Sequence, residues 1–138
     1  MKVAVLGSGS RGNSTFVWGG DTRVLIDAGF SGRDLARRLE SLDLEPDSID
    51  GIVVTHDHRD HTRGIGVFAR RHGTPLYMTS SPHTACSQLL RGVETVIEYS
   101  PGRPFTIGDV LVEPFVTVHD AVDPVGVALI DESSGLRL

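Results

Sequence analysis

Three histidines and two aspartates fall within six consecutive residues, His56-Asp57-His58-Arg59-Asp60-His61. The apolar, β-branched run Gly51-Ile52-Val53-Val54-Thr55 precedes them, so the end of a strand delivers the cluster. Alternate residues of an extended segment point the same way, and His56 and His58 can therefore bind one ion together. Asp60 and His61 lie where the backbone turns into a helix, and so reach a different point in space. Imidazole and carboxylate together suit Zn²⁺, Mn²⁺ or Fe, with zinc favoured by an imidazole-rich set. The bland alternative is a polar, solvated strand-to-helix loop in which Asp60 is simply the helix N-cap. Half of the six histidines in the chain crowd into this window, which favours a metal site. Asp60 is expected to cap the helix with one oxygen as well. The chemistry these residues point to is metal-dependent hydrolysis.

Other candidates need the cluster beside them to gain meaning. His119-Asp120 follows a predicted strand over 110–118. Alone, His119 reads as an ordinary turn histidine. Beside the cluster it becomes a third imidazole, and a His₃ set leaves one coordination position open for water. Asp27 ends the buried run Val24-Leu25-Ile26. It either begins the turn Asp27-Ala28-Gly29 or holds a ligand histidine in orientation, and spacing does not decide between these. The loop Gly7-Ser8-Gly9-Ser10-Arg11-Gly12-Asn13 reads as a tight turn more than as a phosphate cradle, since a strand and not a helix follows it. His72 and His83 read as structural, and Cys86 as a small buried side chain. Arg70-Arg71 reads as a solvated helix face, whereas Arg59 and Arg63 flank the cluster and could meet an anionic substrate.

The elements that must position these residues follow from pattern. Residues 2–6 read as a buried strand, 14–18 as a second and 23–27 as a third, with Gly19-Gly20-Asp21 as the turn between the last two. Ser31 with Asp34 resembles a capping box, opening a helix that carries Leu35, Leu39 and Leu42 on one face. A helix over about 61–72 should follow the histidine cluster and end at Gly73. Leu76–Met78 is a short strand. Pro82 is placed at the first position of a helix running to about Arg91, and Val96-Ile97 is a weak strand candidate. Residues 105–107 and 110–118 form a hairpin with Pro114 at an edge or bulge, and 125–130 is another strand. Leu136-Arg137-Leu138 reads as the opening of that strand's partner, so the expectation is one domain over 1–138, incomplete at its C-terminal end.

Composition narrows the class. At 138 residues one domain is the natural expectation, and 39% hydrophobic with 22% charged residues is ordinary for a globular protein. The net charge of −5 advertises no anionic-membrane or nucleic-acid surface, although a basic patch at a cleft is still open. A single cysteine excludes an internal disulfide and fits a reducing compartment. With no signal-like segment and no membrane-length apolar run, a cytoplasmic location is expected.

Thr55-His56-Asp57-His58-Arg59-Asp60-His61, preceded by Leu25-Ile26-Asp27-Ala28-Gly29, resembles the metallo-β-lactamase fold superfamily. Gly7–Ser14 and His119-Asp120-Ala121-Val122-Asp123-Pro124-Val125-Gly126 resemble, more narrowly, its bacterial YycJ/VicX-like branch. The resemblance implies an α+β fold, the N-terminal half of a four-layer αββα sandwich with a mixed β-sheet and flanking helices. It implies His56, His58 and His119 at a first metal, and Asp60 and His61 at a second, with Asp60 catalytic. Two ligands that the family takes from later in its sequence have no match here. At most one of the family's two ions is therefore expected to bind, with weak activity or none. The implied function is a phosphodiesterase or nuclease acting through a metal-bound hydroxide, with DNA as a candidate substrate. Thioester or lactone hydrolysis on the same fold is the alternative, and a non-catalytic metal-binding or regulatory remnant is a second. An HD-type phosphohydrolase is disfavoured, because its site is built on helices and these motifs follow strands. An apolar sheet face left exposed would promote self-association.

Overall fold

The computed structural model describes residues 1–118 and 124–138. Six strands form one mixed sheet in chain order: β1 (Lys2–Gly7), β2 (Ser14–Gly19), β3 (Thr22–Ile26), β4 (Gly51–Val53), β5 (Leu76–Met78) and β6 (Val96–Glu98). The first three pair antiparallel, and β3 to β6 pair parallel. A smaller antiparallel sheet holds β7 (Phe105–Ile107), β8 (Val110–Val116) and β9 (Val125–Asp131). The helices are α1 (Gly32–Glu40), α2 (Arg59–Thr62), α3 (Ile65–His72) and α4 (Ser80–Ala85). This is the mixed α+β arrangement with flanking helices that the sequence implied.

The period of two in each strand divides the interior. Leu25, Ile52, Val54, Leu76 and Met78 face the helices and pack with Leu35, Leu39, Ile65 and Phe68. Their neighbours Val24, Val53 and Tyr77 face the other way and pack with Ile107, Val110, Val112 and Leu129 of the small sheet. The central strands are thus apolar on both faces because each face meets a different layer. Pro114 fits inside β8 without breaking a ladder. Its carbonyl accepts from Gly102 N, on the side away from β9, so its missing N–H falls outside the β8–β9 pairing.

Several sequence expectations are corrected. β1 is not buried: among the described residues it pairs only with β2, and Val3 and Val5 are 44% and 65% exposed. The helix expected over 61–72 begins earlier, at Arg59, and breaks before Ile65. The cause is non-local, because Gly64 N donates to Ala28 O at 2.8 Å and a Cβ at Gly64 would lie 2.2 Å from Phe30 O. Gly73 does end α3, in the left-handed region at φ 67°. α1 begins as expected, with Ser31 Oγ accepting from Asp34 N, but the Asp34 carboxylate turns to Arg38 and leaves the capping box half made. α1 also stops at Glu40, which leaves Leu42 exposed while Leu44 turns inward. Pro82 is the third residue of α4, not the first, and that helix ends at Ala85 before a short 3₁₀ turn, Ser87–Leu89. Arg70 is not solvated; it pairs with Glu94 and also reaches Leu89 O. Among the described residues, no helix is long and apolar enough to cross a membrane.

Candidate metal centre

Parallel strands β3 and β4 end side by side, and Asp27 and the histidine cluster leave from those two ends. Asp27 follows β3 directly, and Thr55 to His61 follow β4 through a short connection into α2. Ligand sites in parallel sheets belong at the carboxyl ends of strands for this reason. Asp27 holds a left-handed backbone, φ 62°, which an aspartate tolerates better than most side chains. Its N–H and C=O are fixed by Val53 O and Ser14 Oγ.

The buried carboxylate of Asp27 organises the cluster. Oδ1 accepts from Thr55 N at 2.8 Å, and Oδ2 accepts from Thr55 Oγ1 at 2.7 Å. His61 Nδ1 lies 2.6 Å from the same Oδ2. Thr55 Oγ1 also lies 2.8 Å from His56 Nδ1. A hydroxyl has one proton, and Thr55 gives it to Asp27, so toward His56 it accepts. In the neutral rings Nδ1 then carries the proton on both His56 and His61, and Nε2 of each is the nitrogen that bears the lone pair. One carboxylate sets the tautomer of two imidazoles, one directly and one through a hydroxyl.

The rings converge. His56 and His61 have centroids 4.0 Å apart, and His58 meets His56 edge-on at 4.8 Å. Ligand atoms of Asp27, His56 and His61 all lie within 4.8 Å of one another. His61 Nε2 is 3.6 Å from Asp60 Oδ2. Burial disfavours a charged His61, but its hydrogen bond to Asp27 and the charges of Asp27 and Asp60 outweigh this and raise its pKa above the ordinary value. Two or three imidazoles beside carboxylates form a borderline donor set that fits a divalent first-row ion.

Asp60 does not cap α2, contrary to expectation. It lies inside the helix, whose N-cap is His58. Its Oδ2 instead accepts from Asn13 Nδ2 at 2.9 Å, while its carbonyl accepts from Asn13 N at 2.7 Å. Asn13 also closes its own loop through Gly9 N and Gly9 O, so the Gly7–Asn13 segment is a tight turn that grips Asp60. Gly29 makes this possible, since a Cβ there would lie 1.6 Å from Asp60 O.

The structure thus brings His56, His58, Asp60 and His61 together, with Asp27 touching His61 directly. His119 and Asp120 lie outside the described residues. The neighbours of that segment do stand at the same edge: Thr117 N donates to Pro124 O, and Val125 N donates to Thr55 O at 3.0 Å. His72 and His83 pair with Asp47 and Glu98, away from the cluster. Sequence reasoning missed the roles of Thr55 and Asn13. A hydroxyl directly before the histidines and an amide ending a glycine-rich loop were the only available signals.

A mixed sheet whose parallel strand ends gather histidines and aspartates is the frame of a metallohydrolase class, and sequence comparison agrees. The profile of the metallo-beta-lactamase superfamily matches residues 7–131, and the chain belongs to that superfamily. It is 35% identical to the exodeoxyribonuclease YycJ of Bacillus anthracis, over all of this chain and 53% of that protein. It is 36% identical to the exodeoxyribonuclease WalJ of Streptococcus pneumoniae, over 90% of this chain and 48% of that one. The chain therefore spans about half the length of these curated relatives. A metallo-beta-lactamase from Cronobacter sakazakii superposes on 98% of this chain and 59% of its own, with TM-score 0.83 at 18% identity. The metallo-beta-lactamase fold protein YhfI of Bacillus subtilis covers 95% of the chain and 58% of its own length, with TM-score 0.78 at 21% identity. The fold implies a divalent metal site, and the cluster around Asp27, His56 and His61 supplies donors for one.

Proposed function

We propose that this chain carries the metal-binding residues of a cytoplasmic, metal-dependent hydrolase of phosphodiesters, with a nucleic acid strand as substrate. The observation that carries this reading is the Asp27 carboxylate, which engages His61 Nδ1 directly and His56 Nδ1 through Thr55, so that both rings would present Nε2 to a metal. His56, His58 and His119 would hold one ion, and Asp60 and His61 would contribute to a second. A divalent ion there, with zinc the leading candidate, would supply a nucleophile at neutral pH and polarise the phosphoryl oxygen. Asp60, steadied by Asn13, would orient the nucleophile and accept its proton. Asp27 and Thr55 keep the histidines in their ligating tautomers. Relatives named as exodeoxyribonucleases support a DNA substrate for the reading.

The test combines metal counting with hydrolysis by the 138-residue chain. About one zinc per chain is expected, with weak cleavage of an end-labelled DNA strand that His56→Ala abolishes. Cleavage of a thioester or lactone with DNA untouched would replace the substrate class. Metal binding with no hydrolysis of any of the three would favour a non-catalytic role, and two tightly held ions with rapid turnover would overturn the expected stoichiometry.

A further inference from the structure

Beside the metal centre, a cleft of about 980 Å³ opens between the Gly7–Asn13 loop, the start of α1 and the outer side of α2. Four arginines line it: Arg11, Arg38, Arg59 and Arg63. The whole chain has twelve arginines and a net charge of −5, so a third of them gather at one opening of an acidic protein. Two carboxylates share the cleft. Asp34 is already paired with Arg38, and Asp60 belongs to the metal centre.

The arginines divide into one fixed group and three open ones. Arg38 is seated before any ligand arrives. Its Nη1 donates to Leu6 O at 2.5 Å, its Nε donates to Asp34 Oδ2 at 3.2 Å, and the guanidinium lies 3.9 Å above the Phe30 ring. Arg11, Arg59 and Arg63 are exposed and have no ion pair among the described residues. Holding unpaired like charges close together costs energy, which an anion placed among them offsets. Guanidinium groups match phosphate oxygens in a two-pronged geometry.

We infer that this cleft is a phosphate subsite which seats the backbone of a nucleic acid strand next to the metal centre. The inference rests on the phosphodiesterase reading and adds where, and through which residues, the strand is held. Besides the arginines and the two carboxylates the lining is glycine and serine, and its one aromatic ring, Phe30, is buried under Arg38. No aromatic side chain is exposed there to stack on a base, so the cleft holds the strand chiefly through its phosphates. Asp60 lies on its wall, so a strand seated on the arginines has a neighbouring phosphodiester within reach of the metal ligands.

Anisotropy titration of labelled single-stranded DNA and RNA in chelator tests the cleft without the metal centre. Arg59→Ala and Arg63→Ala, both exposed positions, should each weaken binding about five- to tenfold for any sequence, and each should flatten the salt dependence by about one unit of log–log slope. Arg71→Ala, on the exposed side of α3, should bind as the wild type does. Failure of the wild-type chain to bind either strand, or equal losses in Arg59→Ala and Arg71→Ala, would overturn the subsite. A loss confined to DNA or to RNA would identify which strand it serves. Metal-dependent hydrolysis of a small phosphodiester, too short to reach the arginines, separates the two readings. If that activity persists while the cleft variants bind normally, only the subsite falls. If strand binding depends on Arg59 and Arg63 but no phosphodiester is cleaved, only the hydrolase reading falls.

Discussion

At the scale of residues, the decisive group is a carboxylate that the histidine motif does not contain. Asp27 stands 28 positions before Thr55 and 34 before His61, yet it determines what the rings of His56 and His61 can do. Asp27→Asn is the informative substitution, because asparagine also tolerates the left-handed backbone at this position. It should weaken zinc binding about 10- to 100-fold with the fold intact, as loss of a ligand-orienting partner does elsewhere. Competition against a chromophoric chelator measures the affinity, and ring ¹⁵N shifts report the tautomers. Asp27→Asn should disturb both imidazoles, whereas Thr55→Val should disturb His56 alone. Unchanged shifts at His56 in both variants would remove the relay through Thr55. The cluster itself was legible because its members adjoin in sequence. The hold of Asp27 on it was not, since spacing alone left that aspartate equally well explained as the start of a turn.

At the scale of elements, local pattern succeeded wherever a segment's environment is uniform. β3, β4 and β5 read as strands from their apolar runs, and Val24, Leu25, Ile52, Val53, Leu76 and Met78 in them are buried. β1 has the same apolar character but lies at the sheet edge, and its sequence does not record how many neighbours it has. The break between α2 and α3 was hidden for a similar reason. Ala28 and Phe30, far away in sequence, take the space and the hydrogen bond that a continuous helix would use at Gly64. The same crowding makes the turn after β3 intolerant of side chains. Gly29→Ala would drive a methyl group into the Asp60 carbonyl, and the expected cost is at least the upper part of the roughly 1–3 kcal/mol typical of overpacking. Urea denaturation should show the lowered midpoint, with zinc affinity falling alongside because Asp60 must move. A variant with wild-type midpoint and affinity would mean that the turn can relax at little cost.

At the scale of the whole molecule, two apolar clusters are buried, and part of the apolar surface is uncovered. Val5 on β1, Phe115 and Val116 on β8, and Leu136 and Leu138 near β9 are all more than half exposed. β1 also offers an unpaired strand edge. We expect concentration-dependent self-association in sedimentation velocity, reduced by Val5→Lys; a monomer at every concentration would refute this. A different consequence follows from the compactness of the histidine motif along the chain. His56, His58, Asp60 and His61 remain neighbours even when nothing is folded, so a denatured chain still offers zinc much of the same donor set. The folded state adds what Asp27, Thr55 and Asn13 impose on those donors and, in the proposed ligand set, His119. Saturating zinc will therefore raise the melting temperature by the difference between two affinities, and far less than the strength of the native site alone would suggest.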